Sequence, residues 1–375
     1  MNDDPSSNAG GRRRSEPDDS YLTASQARLI WRKFRKHRLA IVAAVVLGLL
    51  YLQAGLAGFL SPTLPGTRHP DYKQAPPQRI RFIREGRLVR PFVYEIERQT
   101  DPRTFRRTFH IDESVTYPVR FFVRGERYKL LGLIPTRVHL YGAEGGPLFL
   151  LGTDRFGRDL FTRILYGSQL SLSIGLVGIA ITFVLGLLLG GLSGYLGGVT
   201  DTIIQRSIDT LISVPTIPLW MGLAAAVPRD WPPVRIYLAV VIITSLIAWG
   251  GLARVVRGQI LSVREEDFTM AARLAGLSHL SIIAKHLLPA TTSYVIVALT
   301  LSIPGTILGE TALSFLGLGL QPPVVSWGVL LQDAQNLETV AHQPWMLWPA
   351  AWIVVTVLMF NFLGDGLRDA ADPYK

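Results

Sequence analysis

Long stretches of this chain carry no charged side chain at all. A helix rises about 1.5 Å per residue and the hydrocarbon core of a bilayer is about 30 Å thick, so roughly 20 uncharged residues suffice for one crossing. Six windows reach or approach that length: residues 39–67, 164–200, 210–228, 236–253, 287–309 and 343–364. The second window is too long for one helix and predicts a turn near Gly197 and Gly198. The sequence therefore predicts an all-α polytopic membrane protein with six transmembrane helices.

The amino-acid composition excludes several classes of protein and of chemical site. Apolar side chains make up 49% of the chain and charged ones only 18%, which argues against an ordinary soluble enzyme. The chain contains no cysteine, so disulfides, thiolate metal sites and cysteine nucleophiles are excluded. The histidines and acidic residues show no metal-ligand spacing, and no metal site is predicted. The net charge of +10 is expected to meet anionic membrane lipid rather than nucleic acid, because basic residues flank the apolar runs.

The distribution of basic residues predicts the orientation. The first apolar run is preceded, without an intervening acid, by Arg28, Arg32, Lys33, Arg35, Lys36 and Arg38, which places the amino terminus in the cytoplasm by the positive-inside rule. Six crossings then return the carboxyl terminus to the cytoplasm. Residues 254–285 are rich in Arg and Lys and are expected inside, whereas residues 311–342 carry neither and are expected outside.

Four regions follow from this map. Residues 1–38 form a cytoplasmic tail, in which residues 21–37 read either as an amphipathic helix on the membrane surface or as a basic stop signal. Residues 39–60 form the first transmembrane helix. Residues 61–150 form a small extracytoplasmic β-rich insert, whose period-2 segments are expected to make hairpins at Glu85-Gly86 and Arg124-Gly125. Residues 151–375 form the core, with five transmembrane helices and a cytoplasmic loop at 264–289.

Small residues and prolines mark positions within the apolar runs. Gly186, Gly190, Gly194 and Gly198 recur every fourth residue, which predicts one helical face for close helix packing. Pro215 and Pro218 interrupt the third window, so a kink there is expected either to line a pathway or to be purely structural.

Charged residues near the ends of two runs are candidates for a gate or a brace. Glu310 ends an otherwise uncharged run. It is a candidate gate or pathway residue; alternatively, it caps the next short helix or pairs with Arg155 or Arg158. Asp154 is expected to cap the helix that leads into the second span.

The loop at 264–289 reads as two short helices. Glu265, Glu266 and Asp267 favour a helix amino terminus, Gly276 is a natural helix end, and a second short helix is expected to end at Pro289. Two short helices held outside the bilayer by long spans would form a rigid projection that another protein could bind.

This loop is similar to the hallmark cytoplasmic loop of the membrane-spanning subunits of binding-protein-dependent ABC importers. The family pattern is Glu-Ala-Ala, three residues, Gly, nine residues and Ile-x-Leu-Pro. The matching positions are Ala271, Ala272, Gly276, Leu288 and Pro289. Met270 replaces the family's Glu and His286 replaces its Ile, whereas Arg273 is kept. Residues 151–175 and 309–331 further resemble the C-type permease of the dipeptide and oligopeptide branch.

The resemblance implies a type I ABC importer permease fold in the bacterial cytoplasmic membrane. It implies that a second homologous permease subunit completes the pathway, that two cytoplasmic ATPase subunits dock on the loop, and that an external solute-binding protein delivers peptides. Ala271, Ala272, Arg273, Gly276, Leu288 and Pro289 would then couple the pathway to ATP hydrolysis. The sequence lacks a Gly-Lys-Ser or Gly-Lys-Thr phosphate loop, so ATP and magnesium are expected in the partner subunits and no cofactor in this chain.

Two other readings stay open. The same family branch also imports nickel chelates, opines and oligosaccharides, so the cargo is not fixed. A passive channel belongs to a different class and would work without ATPase partners. The spans show no convergent catalytic groups, so the sequence predicts a transport subunit and not an enzyme.

Overall fold

A computed structural model describes residues 26–100, 102, 107–228 and 230–371. Its helices are α1 (Gln26–Phe34), α2 (Arg38–Gly55), α3 (Ala57–Leu60), α4 (Leu160–Leu196), α5 (Gly198–Ser213), α6 (Thr216–Ala225), α7 (Pro233–Val263), α8 (Asp267–Leu274), α9 (His279–Ile282), α10 (Leu288–Phe315), α11 (Trp327–Gln332), α12 (Leu337–His342) and α13 (Trp348–Ala371). Its strands are β1 (Arg81–Arg84), β2 (Arg87–Thr100), β3 (Arg107–Leu130) and β4 (Ile134–Ala143). Most of the predicted amino-terminal tail, residues 1–25, lies outside the described residues.

Five helical segments among the described residues are long and apolar enough to span a membrane: Arg38–Gly55, Leu160–Leu196, Arg235–Val263, His279–Phe315 and Pro344–Ala371. The sequence predicted six. The third apolar window is instead divided between α5 and the 10-residue α6. The break falls at Val214, which is extended as residues before proline tend to be, and Pro215 follows it without an N–H group to continue the helix.

The longest helix contact joins α4 and α7, which run parallel. Ser245 Oγ donates to the Gly178 carbonyl at 3.1 Å, and Tyr237 Oη donates to Ser173 Oγ at 3.2 Å. Farther along, Gly194 lies against Ile260. Because the contacts advance in the same direction along both helices, the two helices begin at one end of the bundle and finish at the other.

The glycine face of α4 makes this contact close. Gly186, Gly190 and Gly194 are buried, and a Cβ added to any of them would lie within 3.0 Å of α7. Gly198, which the sequence placed on the same face, lies in α5 instead. The turn at Gly197, where φ is +66°, ends α4 first.

Gly190→Ala is expected to destabilise the protein by about 2 kcal/mol, because overpacking a close contact costs roughly 1–3 kcal/mol. The new Cβ would lie 2.5 Å from the backbone oxygen of Ala253, and a backbone atom cannot rotate away. Thermal unfolding of the purified chain in detergent measures the loss. The matched control is Gly258→Ala on α7, whose Cβ meets no atom of the described residues within 4 Å. Equal melting temperatures for the two variants would contradict this account of the helix contact.

The remaining long helices complete the bundle around α4. α10 runs antiparallel to α4, because Gly175 lies against Ile303 and Ile307 whereas Gly191 lies against Ile283. α2 and α13 are also antiparallel, since His37 before α2 lies 3.8 Å from Asp369 near the end of α13. Their shared core centres on buried apolar side chains, among them Leu50, Leu172, Ile307, Trp327 and Phe360.

Four strands within residues 81–143 form an antiparallel sheet in the order β1-β2-β3-β4. The predicted turn at Glu85-Gly86 joins β1 to β2, and both residues have positive φ. The turn predicted at Arg124-Gly125 is wrong: both residues lie inside β3, where the pairing with β4 shifts register. Such a register shift accommodates extra residues of one strand without ending it.

The sheet and the α8–α9 segment lie at opposite ends of the bundle, here called the sheet end and the loop end. At the sheet end, His139 Nδ1 lies 2.6 Å from the carbonyl oxygen of Ser61, just after α3. Thr153, which precedes α4, accepts a hydrogen bond from the Ala75 N–H at 2.8 Å. α4 and α7 finish at the loop end, where α8 and α9 follow.

Candidate coupling loop and the polar clusters of the bundle

The predicted coupling loop begins with α8 and ends it in a glycine-dependent cap. The Gly276 N–H donates to the Arg273 carbonyl at 3.0 Å, and the Leu277 N–H donates to the Ala272 carbonyl at 3.3 Å. This pair of bonds is a Schellman motif and requires a left-handed residue, which Gly276 supplies with φ of +75°. Ser278 then caps α9 by accepting from the Ser281 N–H at 3.3 Å. The two helices are therefore joined by a defined turn.

Tyr195, in the last turn of α4, holds both short helices. Arg273 Nε donates to Tyr195 Oη at 3.3 Å, and the guanidinium carbon lies 5.1 Å from the centre of the Tyr195 ring. His279 Nδ1 lies 3.4 Å from the same hydroxyl oxygen. These contacts join α8 and α9 to the end of a long helix.

Ala272 points into the protein. It is 5% exposed and packs with Ile282, Ile283 and Leu287 in a core that also includes Val256 of α7. Of the residues selected from the sequence, Ala272 and Arg273 thus attach the loop to the bundle, and Gly276 shapes its turn. The structure gives none of these three an outward-facing apolar side chain.

The loop exposes several large apolar side chains, including residues that the sequence motif did not select. The large exposed apolar side chains of residues 267–280 are Phe268, Met270, Leu274, Leu277 and Leu280, and the predicted coupling residue Ala271 is exposed as well. Leu274 is 89% exposed although it is a large apolar residue on a short helix. An apolar cluster of this kind on a projecting loop is typical of a protein contact surface. The spacing of Met270 and Leu274, four residues apart on α8, was the signal in the sequence.

The sequence predicted that the second short helix ends at Pro289, and this prediction is wrong. α9 continues through a π turn at Ile283–Leu287 into α10, and the helical segment runs on to Phe315. The Leu288 N–H donates to the Ile283 carbonyl, five residues back. The wider turn and the position of Pro289 in the first turn of α10 remove the need for the missing N–H. Leu288 and Pro289 therefore connect the loop to a long helix.

An ion pair between α5 and α7 lies at the same end of the bundle. Both carboxylate oxygens of Asp201 accept hydrogen bonds from Arg257, each at 2.6 Å. Gln205 Nε2 also donates to Ser193 Oγ at 3.0 Å, which links α5 to α4. The ends of three helices are thus joined beside the loop.

Glu310 is fully buried near the sheet end. Its Oε1 accepts hydrogen bonds from Ser314 Oγ at 2.7 Å and from Ser326 Oγ at 2.8 Å. Ser326 is also the residue that caps α11, since it accepts from the Val329 N–H. Arg155 pairs with Asp333 and Arg158 with Asp154, so neither arginine pairs with Glu310. Glu310 supports the cap of α11, and its predicted role as a gate stays a prediction.

Glu310→Ala is expected to lower the free energy of unfolding by about 2–4 kcal/mol, because two buried hydroxyls lose their acceptor. Glu310→Gln keeps an acceptor oxygen at the same place and is expected to retain both the melting temperature and transport. Thermal unfolding and uptake assays on the two variants make the comparison. A folded Gln variant without transport would contradict the structural role and favour a gate that needs the charge.

The prolines of the third window stand at the junction of α5 and α6. Pro215 precedes α6, and its carbonyl accepts from the Leu219 N–H at 3.1 Å. Pro218 lies in the first turn of α6, where a missing N–H is tolerated. The prolines therefore mark a helix boundary.

A buried charge cluster closes the turn before α4. Asp154 Oδ1 accepts from the backbone N–H of Phe156 at 2.8 Å and of Arg158 at 3.0 Å, and Oδ2 accepts from Arg158 Nε at 2.7 Å and from the buried Arg163. The sequence predicted that Asp154 caps α4, and this prediction is wrong. Asp159 is the cap and accepts from the Thr162 N–H at 2.8 Å.

Two family models match the chain. Residues 157–374 match the model described as the binding-protein-dependent transport system inner membrane component. Residues 25–77 match the N-terminal TM domain of oligopeptide transport permease C. These two matches, together with the membrane-spanning helices and the loop, define a multi-pass permease subunit of an ABC importer. The chain belongs to the family of binding-protein-dependent transport system inner membrane components.

Characterised relatives and solved structures are similar to the chain. The dipeptide transport system permease protein DppC of Bacillus subtilis is 40% identical over 224 residues, which cover 59% of this chain and 68% of that protein. The oligopeptide transport system permease protein OppC of Haemophilus influenzae is 43% identical over 224 residues, 59% of this chain and 69% of that protein. An inward-facing structure of the MetNI methionine ABC transporter is 20% identical, covers 55% of this chain and 95% of that chain, and has a TM-score of 0.44.

Proposed function

We propose that this chain forms one half of a pathway that imports peptides or similar small solutes, with a second homologous permease subunit as the other half. Two cytoplasmic ATPase subunits would bind the loops of the two permeases, and a solute-binding protein would deliver cargo at the sheet end. The relatives named as dipeptide and oligopeptide permeases support the cargo class. The observation that carries the proposal is the set of exposed large apolar side chains on the α8–α9 loop, which is attached through Tyr195 to the end of α4.

The proposed mechanism is mechanical. ATP binding would draw the two ATPase subunits together and move the loop of each permease. The loop cannot move far without α4, because Arg273 and His279 contact Tyr195. It also continues without a break through the π turn into α10. A movement of α8–α9 would therefore tilt α4 and α10 together, which opens or closes the pathway between the two permeases.

Six membrane crossings are part of the proposal. The parallel contact of α4 and α7 supports a sixth crossing, because the chain must return from the loop end to the sheet end between them. α5 has 16 residues and α6 has 10, which together span about 39 Å at 1.5 Å per residue. That length exceeds the hydrocarbon core of about 30 Å. We propose that α5 and α6 form a broken span.

The proposed orientation places the loop end in the cytoplasm and the sheet outside. The basic residues Arg254, Arg257, Arg264 and Arg273 at the loop end support it, as do those that precede α2. The chain has no natural cysteine, so single cysteines report the topology directly. In intact cells, a membrane-impermeant maleimide should label Leu88→Cys in the sheet and leave Leu274→Cys unlabelled. The reverse pattern would overturn the orientation.

Uptake into proteoliposomes tests the function. The chain, purified with the subunits that accompany it, should import a radiolabelled peptide mixture when its solute-binding protein and internal ATP are both present. Uptake of nickel chelates, opines or oligosaccharides in place of peptides would reassign the cargo within the family. Uptake that needs neither ATP nor the binding protein would instead indicate a passive channel.

A further inference from the structure

The tip of the β3–β4 hairpin is apolar throughout. Residues 130–135 read Leu-Leu-Gly-Leu-Ile-Pro, and Leu131 and Leu133 are 61% and 81% exposed. The β1–β2 hairpin of the same sheet turns through Arg84, Glu85, Gly86 and Arg87, which is the usual polar chemistry of a turn in water. Two turns of one sheet therefore suit different surroundings.

The hairpin runs back along the first spanning segment toward the bilayer. His139 contacts Ser61, and Tyr128 lies over Gly58. Leu131 then reaches Gly55. The Cδ2 atom of Leu131 lies 3.2 Å from the position that a Cβ atom on Gly55 would occupy. The contacts thus step from residue 61 to residue 55 as the hairpin approaches its tip. The tip is level with the last residue of α2.

The last residue of α2 lies near the edge of the hydrocarbon core. α2 has 18 residues, which span about 27 Å against a core of about 30 Å. Its side chains Val45, Leu49 and Leu52 are exposed on the bundle surface, as expected of a lipid-facing helix. Leu131, beside Gly55, brings an exposed apolar side chain to the end of this helix.

The backbone of the tip carries a side chain that a turn in water disfavours. Leu131 has φ of +53°, a left-handed conformation in which Asn, Asp and Gly are the usual residues. Gly132 follows with φ of +73°. A leucine at this place puts an apolar side chain at the extreme tip despite the backbone cost. Lipid around the tip gives that side chain a favourable surrounding.

The strands behind the tip carry positive charge suited to lipid phosphates. Arg127, Lys129 and Arg137 are exposed within a few residues of the tip. The nearby Glu126 is already engaged, since its Oε2 accepts from the Leu64 N–H at 2.9 Å and from Thr67 Oγ1 at 2.6 Å. An apolar tip followed by basic residues matches the order of hydrocarbon and phosphate across a leaflet.

We propose that the β3–β4 tip, residues 130–135, inserts into the bilayer leaflet beside the end of α2 and anchors the sheet to the membrane surface. The ligand is therefore phospholipid, with acyl chains around Leu131 and Leu133 and phosphates near Arg127, Lys129 and Arg137. The anchor fixes the height and tilt of the sheet above the pathway. It goes beyond the transport proposal and does not depend on which face of the membrane the sheet occupies.

Nitroxide labels on single cysteines test the insertion. Leu133→Cys is labelled in the full chain, assembled with its partner subunits in liposomes of phosphatidylethanolamine and phosphatidylglycerol. Collision with oxygen reports lipid, and collision with a water-soluble nickel chelate reports solvent. The matched controls are Leu88→Cys, 85% exposed beside the charged turn, and Leu49→Cys on the exposed face of α2.

Residue 133 is expected to match residue 49, with high oxygen and low nickel accessibility, whereas residue 88 shows high nickel accessibility. A label at 133 that behaves like the one at 88 overturns the proposal, because the tip is then in water. Low accessibility to both reagents also overturns it, in favour of a protein contact. Ile134→Cys provides a second tip position if the first variant fails to assemble. None of these readouts uses transport, so a failed uptake assay leaves the result interpretable.

Discussion

Leu274→Arg is expected to abolish productive binding of the ATPase subunits. Leu274 is 89% exposed at the end of α8, so the substitution leaves the packing of the loop unchanged. It places a charge in the middle of the proposed apolar contact, where truncation alone of a hot-spot residue costs about 2 kcal/mol or more. We expect at least a roughly thirtyfold weaker association, since every 1.4 kcal/mol is about a factor of ten. Titration of the purified permease with fluorescent ATPase subunit measures it.

The matched control places the same substitution at the other end of the bundle. Leu337 is 82% exposed at the start of α12, and Leu337→Arg adds the same charge without touching the loop. It should bind the ATPase subunit as the unmodified chain does. Circular dichroism and thermal unfolding should not distinguish the two variants. Full ATPase binding by Leu274→Arg would contradict the loop as the docking surface.

Asp154→Ala is expected to cost about 3–5 kcal/mol of stability, the range for breaking a buried ion pair from one side. Asp154 is fully buried and Arg163 is 2% exposed, so the substitution leaves a guanidinium in the core without its carboxylate. It also removes the acceptor for two backbone N–H groups of the turn before α4. Thermal or chemical unfolding of the purified chain measures the loss.

Two further variants separate the buried charge from other effects. Asp154→Ala combined with Arg163→Leu should recover part of the loss, because the unpaired guanidinium is then absent. Glu144→Ala breaks the exposed pair of Arg120 and Glu144, which join at 2.7 Å, and should change stability by about 1 kcal/mol or less. A single Asp154 variant as stable as the Glu144 variant would contradict the importance of this cluster.

The sequence predicted elements best where a local pattern controls the backbone. Uncharged runs predicted α2, α4, α7, α10 and α13, because backbone groups in lipid must pair within one helix. Paired glycines predicted the turn after α4, and Glu85-Gly86 predicted the hairpin turn. Gly276 predicted the end of α8, since a left-handed cap has few alternatives to glycine.

Predictions failed where neighbouring segments outweighed the local pattern. Gly125 resembles a turn residue, but pairing on both sides of it keeps it within β3. Pro289 resembles a helix end, but a π turn lets the helix continue to Phe315. The third apolar window does not form one continuous helix, because Pro215 divides it between α5 and α6; the sixth crossing that it predicted stays a prediction.

The candidate site shows the same division. The family motif selected Ala272 and Arg273. In the structure both side chains contact the bundle and attach α8 to it, whereas Leu274 faces outward. No local pattern states which side of an eight-residue helix faces its own protein, because that depends on where Tyr195 and Ile283 lie. The position of the hairpin tip beside Gly55 likewise depends on contacts between residues far apart in the chain.

By itself, the sequence determined a multi-pass membrane chain with a projecting polar loop, because hydrophobicity and charge act locally and add along the chain. Only the tertiary structure decided that α4 and α7 run parallel, which face of the loop is exposed, and where the buried acids Asp154 and Glu310 find their partners. Those features depend on close contacts between distant segments, and no single window of sequence contains both sides of such a contact.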